Sequence, residues 1–274
     1  MKFFNLEEQK IFEQIDYFFH EWQQKGPEVV VVFSPHDDDA LLGAGYAIIS
    51  SLMNGAEVYV VIFHSGNAGY SNVKLKSEIV EIRRRETLQA LQVLGIDEKH
   101  IIRLELPDFS GINYLGWFKP LDKSRDAIVG TFEVLVKKLR EIGATRLLFA
   151  NGYREHIDHH AVETTAIYYG PQVGDPICID WGKPTRIRSY MRYAVWGKFR
   201  TEANFALVAD EDDEHKIRAA IQKWDSQQDI IKGIMKKRNE RKIDGGKFLE
   251  LYQTVEPRPA IDFKPYLEKM KKCQ

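Results

Sequence analysis

The stretch PEVVVVFSPHDDDALLGAG, residues 27–45, decides how the chain folds. Its first half is an unbroken β-branched run of the kind buried on both faces of a parallel sheet. Its second half, from about residue 40, reads as a helix that runs to 53 and is ended by Gly55. Working outward, EVYVVIF (57–63) is a second buried strand, and 74–94 is a charged amphipathic helix closed by Gly95. HIIRLEL (100–106) is a third strand candidate, 124–142 a helix and TRLLFA (145–150) a fourth strand. Strands alternating with helices of ten or more residues predict an α/β fold: a Rossmann-like open, mostly parallel sheet with helices on both faces.

The flanks are less regular. Residues 6–24 read as an amphipathic helix, with Asn5 as N-cap and Glu8 three residues on. Beyond residue 170, GPQVGDPICIDWGKP predicts a long surface loop, and 185–195 alternates like an extra strand, taken as antiparallel. A long helix is expected over 211–238, ending in the basic run KKRNERK (236–242), which fits a solvated helix surface. The simplest arrangement is one domain, 1–274, with a core of about 27–165 and a C-terminal cap, about 170–274, over the carboxyl edge of the sheet.

Composition narrows the function. The 274 residues carry 39 Lys+Arg against 40 Asp+Glu, a net charge of −1, which argues against a nucleic-acid or membrane-surface binder. Two cysteines, Cys178 and Cys273, exclude a disulfide scaffold and a Cys-rich zinc module. The first twenty residues mix acids with apolar residues and resemble neither a signal peptide nor a membrane span. A cytoplasmic protein is the expectation, and a homo-oligomer is left open.

The chemistry sits at two strand ends. His36, Asp37, Asp38 and Asp39 follow the first strand directly, where open α/β sheets bind their ligands. One Asp would suffice to cap the next helix; three adjacent acids repel one another unless a cation or donors compensate. His156, Asp158, His159 and His160 follow the fourth strand and open another helix, so His156 shares a face with either His159 (i, i+3) or His160 (i, i+4). Together the clusters offer two His and one Asp for a hydrolytic zinc centre, with carboxylate and imidazole to spare. Such a zinc can lower the pKa of bound water from 15.7 to about 7. A leftover carboxylate then serves as base and a leftover histidine as acid and oxyanion stabiliser.

At these residues the sequence resembles the LmbE/PIG-L family of zinc-dependent N-acetylglucosaminyl deacetylases. The family motifs HPDDE and HPDH stand here as His36-Asp37-Asp38-Asp39-Ala40 and His156-Ile157-Asp158-His159. Further echoes are the 55–69 stretch ending in SGNAG, RRRE at 83–86, LPDF (106–109), YAVW (193–196), DSQ (225–227) and GGKFLEL (245–251). The resemblance implies that His36, Asp39 and His159 bind Zn2+ and that Asp38 is the general base. It makes His156 the acid and oxyanion stabiliser, with Asp158 orienting a histidine. Asp37 replaces the usual proline, which is expected to loosen the turn and add negative charge, and Ala40 replaces the usual glutamate.

The substrate implied is an N-acetylglucosamine-type amino sugar or its conjugate. Arg83 is the best-matched arginine for a substrate hydroxyl. Tyr114, Trp117 and Phe118, in the Gly-rich stretch 107–120, could stack on a sugar ring or anchor the loop to the core. His64 is expected to be structural. Three alternatives are a zinc amidase for another amide such as a thiol conjugate, a metal-binding protein without catalysis, and a nucleotide-binding Rossmann module. The last has only GAG (43–45) and GNAG (66–69) behind it, and Ile48 occupies the third glycine position of GxGxxG.

Overall fold

The computed structural model describes residues 1–119 and 128–272. The strands expected in the first half are present: β3 (Val29–Ser34), β4 (Glu57–His64), β5 (Ile101–Leu106) and β8 (Arg146–Ala150). They lie parallel, in the order β8-β3-β4-β5. Alternate side chains of β3 leave in opposite directions. Val30 and Val32 enter one core cluster, Val31 and Phe33 the other, and all four are fully buried. Helices α1 (Asp39–Met53) and α2 (Ile79–Val93) cover the first face, and α3 (Thr131–Glu141) and α4 (Ile157–Gly174) the second. The helix expected over 124–142 is thus seen from Thr131; a short hairpin, β6 (Phe118–Lys119) with β7 (Ile128–Val129), precedes it, and 120–127 lie outside the described residues.

Three expectations are corrected outright and a fourth in part. Residues 6–24 are not a helix. They belong to a hairpin, β1 (Lys2–Asn5) and β2 (Lys10–Phe12), followed by a 3-10 turn at Ile15–Tyr17. Pairing of β1 with the distant β10 (Phe205–Ala209) overrides local helix preference, and Gln9, Glu21 and Gln23 adopt positive φ. The Asn5 signal is real, but its Oδ1 accepts the Glu8 amide (2.9 Å) within the hairpin turn.

The stretch from 170 is not all loop, because α4 continues through Pro171 to Gly174. The strand after it, β9 (Ser189–Tyr193), is parallel to β8, because α4 carries the chain back across the sheet before β9 begins; its antiparallel pairing is confined to its other neighbour, β12 (Lys247–Thr254). The helix expected over 211–238 is two, α5 (Glu211–Ile221) and α6 (Gln228–Asn239). Between them Trp224 drops fully buried into the core and a 3-10 turn forms at Asp225–Gln227.

The region after 170 does more than cover an edge. Antiparallel β12 (Lys247–Thr254) and β10 extend the sheet from β9 to the N-terminal hairpin, and β11 (Lys242–Ile243) pairs on β12. The mixed sheet runs β2-β1-β10-β12-β9-β8-β3-β4-β5. A short C-terminal helix, α7 (Lys264–Lys271), follows.

Candidate active site

Both histidine-aspartate stretches arrive at the carboxyl ends of neighbouring strands, β3 and β8, which brings residues 122 apart in sequence into contact. Ser34, the last residue of β3, tightens the first turn. Its hydroxyl donates to the His36 carbonyl (2.5 Å) and accepts the Ala40 amide (3.0 Å). The N-cap position of α1 is Asp38, yet its side chain makes no capping hydrogen bond. Helix capping therefore does not explain the three aspartates.

Asp39 is the hub. Its Oδ2 lies 3.1 Å from His36 Nδ1 and 3.1 Å from His159 Nε2, and it accepts the His36 amide at 2.9 Å. His159 Nε2 is buried and has no hydrogen-bond partner. Its other ring nitrogen, Nδ1, faces Glu155 Oε2 at 2.8 Å, which sets the ring's orientation and leaves Nε2 aimed at the hub. One ligand atom from each of His36, Asp39 and His159 lies within 4.8 Å of the others. An orphaned imidazole nitrogen beside a buried carboxylate and a second imidazole is a donor set that fits a divalent metal ion. A second grouping, His36 with His156 and Asp158, shares His36 but lacks the orphaned atom. His160, by contrast, is exposed on the outer face of α4.

The charges respond to this crowding. Burial works against protonation of His36, yet Asp158 and Asp39 push its pKa up to about 10; Asp39 likewise pushes His159 up to about 9. The cluster of acids calls for positive charge. Burial raises the carboxyl of Asp38, with Arg83 pulling it down and Asp39 adding to the rise. Burial alone would raise Asp158, but hydrogen bonds to His36 and His64 hold it well below the usual carboxylate range. His156 is lowered by burial and by the neighbouring His36. Its Nδ1 accepts the Asp158 amide (3.2 Å) as the N-cap of α4, which leaves Nε2 to carry the proton.

Asp158 holds the floor of the site. It meets His36 Nε2 at 3.3 Å and His64 Nε2 at 3.1 Å. It also accepts the amides of Phe109 (2.7 Å) and Gly111 (3.2 Å), and the first of these secures Phe109 at φ +64°, a conformation uncommon for a non-glycine residue. His64 is fully buried, with Nδ1 2.8 Å from the Pro35 carbonyl oxygen, in the structural place expected of it.

Above the cluster opens a cleft of about 300 Å³. His36, Asp38, Asp39, His156 and His159 form its base, and Arg83 one wall. Its aromatic surfaces are Phe109 and Trp196, joined by Gln227 and Ile230 from the C-terminal region. Tyr114 and Trp117 do not line it. Tyr114 packs against the second core cluster, and Trp117 stacks edge-on to Trp181 (5.1 Å) while its Nε1 donates to Glu133 (2.7 Å). Glu155 escaped the sequence reading; Phe109, Trp196 and Gln227 lay in the echoed stretches LPDF, YAVW and DSQ but were given no role in the site. Glu155 stands just before His156, the N-cap of α4, and so outside the helix whose periodicity the sequence offered.

The side chain of Asp37 is buried away from the cleft, and its added negative charge is met by Arg83 and Arg103, with Thr87 donating as well. Ala40 is buried in the first core cluster.

This combination of sheet, strand-end motifs and His-Asp-His hub defines a metal-dependent hydrolase of the α/β class. The sequence profile of the GlcNAc-PI de-N-acetylase (PIG-L) family matches residues 31–169, and the chain belongs to that family. No curated protein matches it in sequence. Among solved structures it is similar to N,N'-diacetylchitobiose deacetylase from Pyrococcus horikoshii, at TM-score 0.66 and 19% identity over 89% of this chain and 90% of that one. It is similar also to the A40926 pseudoaglycone deacetylase Dbv21 (TM-score 0.61, 16% identity, 84% and 98% covered). A third is GalB, the 4-carboxy-2-hydroxymuconate hydratase from Pseudomonas putida KT2440 (TM-score 0.58, 19% identity, 86% and 99% covered). Among the described residues no helix is long and apolar enough to cross a membrane.

Proposed function

We propose that this chain is a zinc-dependent hydrolase that removes the acetyl group from an N-acetylglucosamine-type amino sugar or its conjugate. The observation that carries the reading is the convergence of His36, Asp39 and the orphaned Nε2 of His159 at the base of a cleft, with Asp38 beside them.

In this reading His36, Asp39 and His159 hold the ion. Bound zinc would supply an acidified water and polarise the acetyl carbonyl. Asp38, whose carboxyl burial pushes upward, takes the proton from the attacking water. His156 places its Nε2 proton against the oxyanion and then passes a proton to the departing amine. Asp158 keeps His36 and the Phe109 loop in place, and Glu155 fixes the ring of His159. Arg83 is placed on the cleft wall to meet a sugar hydroxyl, with Phe109 and Trp196 supplying apolar surface for the ring. A cleft of about 300 Å³ stands at the small end of ligand pockets, suiting one sugar unit at the reacting position.

The chain is read as one domain in which residues of about 27–165 build the centre. The region after 170 shapes the substrate site through Trp196, Gln227 and Ile230. The cysteine-poor composition suits a cytoplasmic setting.

The test is amine release from N-acetylglucosamine, its disaccharide and a panel of other acyl conjugates. A chelator should abolish release and zinc should restore it. The same fold serves a hydratase, so the product scored must be free amine with acetate. Release only from a non-sugar amide would shift the assignment to another zinc amidase, and no release from any acetylated amine would refute it.

A further inference from the structure

We propose that Asp37 is a positioning residue for Arg83, with Arg103 as its counter-charge, at the place where the family motif carries proline. The inference deepens the reading above and rests on it for its kinetic test.

Asp37 lies between His36 and Asp38, but its side chain turns out of the cleft toward α2 and β5. It is 1% exposed. One carboxylate oxygen, Oδ1, accepts from Thr87 Oγ1 (2.8 Å) and Arg103 Nη1 (2.6 Å); the other, Oδ2, accepts from Arg83 Nε (2.9 Å). Arg83 is itself buried, lines the cleft, and brings Nη2 to 3.5 Å from Asp38 Oδ1. A single guanidinium therefore bridges the buried anchor and the catalytic carboxylate.

The slot around Arg83 admits few alternatives. A Cβ on Gly66 would stand 2.6 Å from Arg83 Nε, and one on Gly69 2.6 Å from Nη1, so the flat guanidinium is gripped between backbone walls. Those walls are fixed in turn. Asp108 accepts the amides of Gly66 and Ala68 (both 2.9 Å), and Gln227 Nε2 donates to the Gly69 carbonyl (2.6 Å). What remains free is the tilt of the guanidinium within its plane, and Asp37 is the acceptor that sets it.

Arg103 is explained by the same anchor. It does not line the cleft, its Nε donates to Glu105 (2.8 Å), and its Nη2 is buried without a partner. Its closest ionic contact is Asp37. With proline at position 37, both arginines would lose a buried carboxylate. Asp37 and Arg103 thus form a compensated pair, and Arg83 takes its geometry from them.

The experiment compares D37N, R103Q and D37N/R103Q in steady-state amine release from the acetylated sugar, with zinc content measured on each. We expect zinc content to stay at the wild-type level while D37N raises KM about tenfold; R103Q should raise it about threefold on the wild-type background and not at all on D37N. A purely structural role would lower Tm without moving KM. The double variant removes both buried charges, so it remains informative if D37N alone does not fold. A double variant with wild-type KM would overturn the proposal. If the wild-type protein releases no amine at all, the functional reading fails, and a crystal structure of D37N/R103Q then decides this one. Arg83 displaced from Asp38 would support the positioning role, and Arg83 unmoved would refute it.

Discussion

Two buried polar clusters touch α1, and they differ in a way that separates scaffold from chemistry. At the N-terminal end of the helix stand His36, Asp39, His159 and Asp158. Around its middle stand Tyr46, Glu214, Arg238, Glu250 and Tyr252. The second cluster does not line the cleft, although Glu250 Oε1 too is buried without a hydrogen-bond partner. Glu214 accepts from Tyr46 Oη, Arg238 and Arg218 at 2.5–2.6 Å, and Glu250 accepts from Tyr252 Oη (2.7 Å). It also repairs the helix. Where α1 departs from helical geometry at Ala44, Glu250 accepts the Tyr46 amide (2.8 Å) and Arg238 donates to the Leu42 carbonyl (3.3 Å). The first cluster is charged and largely buried as well, but its unsatisfied atom, His159 Nε2, lies at the base of a cleft. Burial and charge alone do not mark a site; an unsatisfied ligand atom facing a cavity does.

That contrast can be broken by substitution. The largest effect should come from D38N, which keeps His36, Asp39 and His159 and removes the base. Its kcat should fall about 10²–10⁴-fold with metal content unchanged. Next, R238M should leave Glu214 and Glu250 buried against too little positive charge. We expect about 3–5 kcal/mol of lost stability in urea unfolding, with the kcat of the folded fraction intact. A kcat loss in R238M comparable to that of D38N would erase the distinction between the clusters.

E155Q probes the support beneath the open cluster. It should weaken metal affinity about 10–100-fold while changing Tm little, read by competition with a chelator of known affinity.

The smallest effect concerns acid stability at the other end of the strands, where Glu28 directly precedes β3. Burial by itself would raise Glu28, but Arg146, Thr145 and the Gln23 amide bring it down to about 2. A carboxylate lowered on folding stabilises the protein above its unfolded pKa, and that contribution fades as pH falls toward the folded value. The Tm gap between wild type and E28Q should therefore be constant from pH 5 to 7 and shrink between about 4.3 and 2. A gap that widened on acidification would contradict the assignment.

How far the sequence could be read depended on the range of the interactions. Parallel strands β3, β4 and β8 announced themselves because each is an apolar run almost wholly buried in the sheet, and the two motifs because each is local. The N-terminal hairpin was hidden because its partner, β10, lies two hundred residues away. The break between α5 and α6 was hidden because it depends on Trp224 reaching Thr87 (3.2 Å) in the core. In the site, adjacency made His36, Asp38, Asp39 and His159 visible. Phe109, Trp196 and Gln227 come from three separate loops and meet only in the folded molecule. Asp37 was legible as a departure from the motif, but its two arginines were not legible as its reason.

The most direct test of the open cluster is a zinc titration of metal-free wild-type protein and of D39N, followed by amine-release assays on the same samples. The account predicts one tightly bound ion per wild-type chain, activity rising in step with its occupancy, and loss of both in D39N. Equal zinc occupancy in D39N, or amine release that persists without the ion, would contradict it.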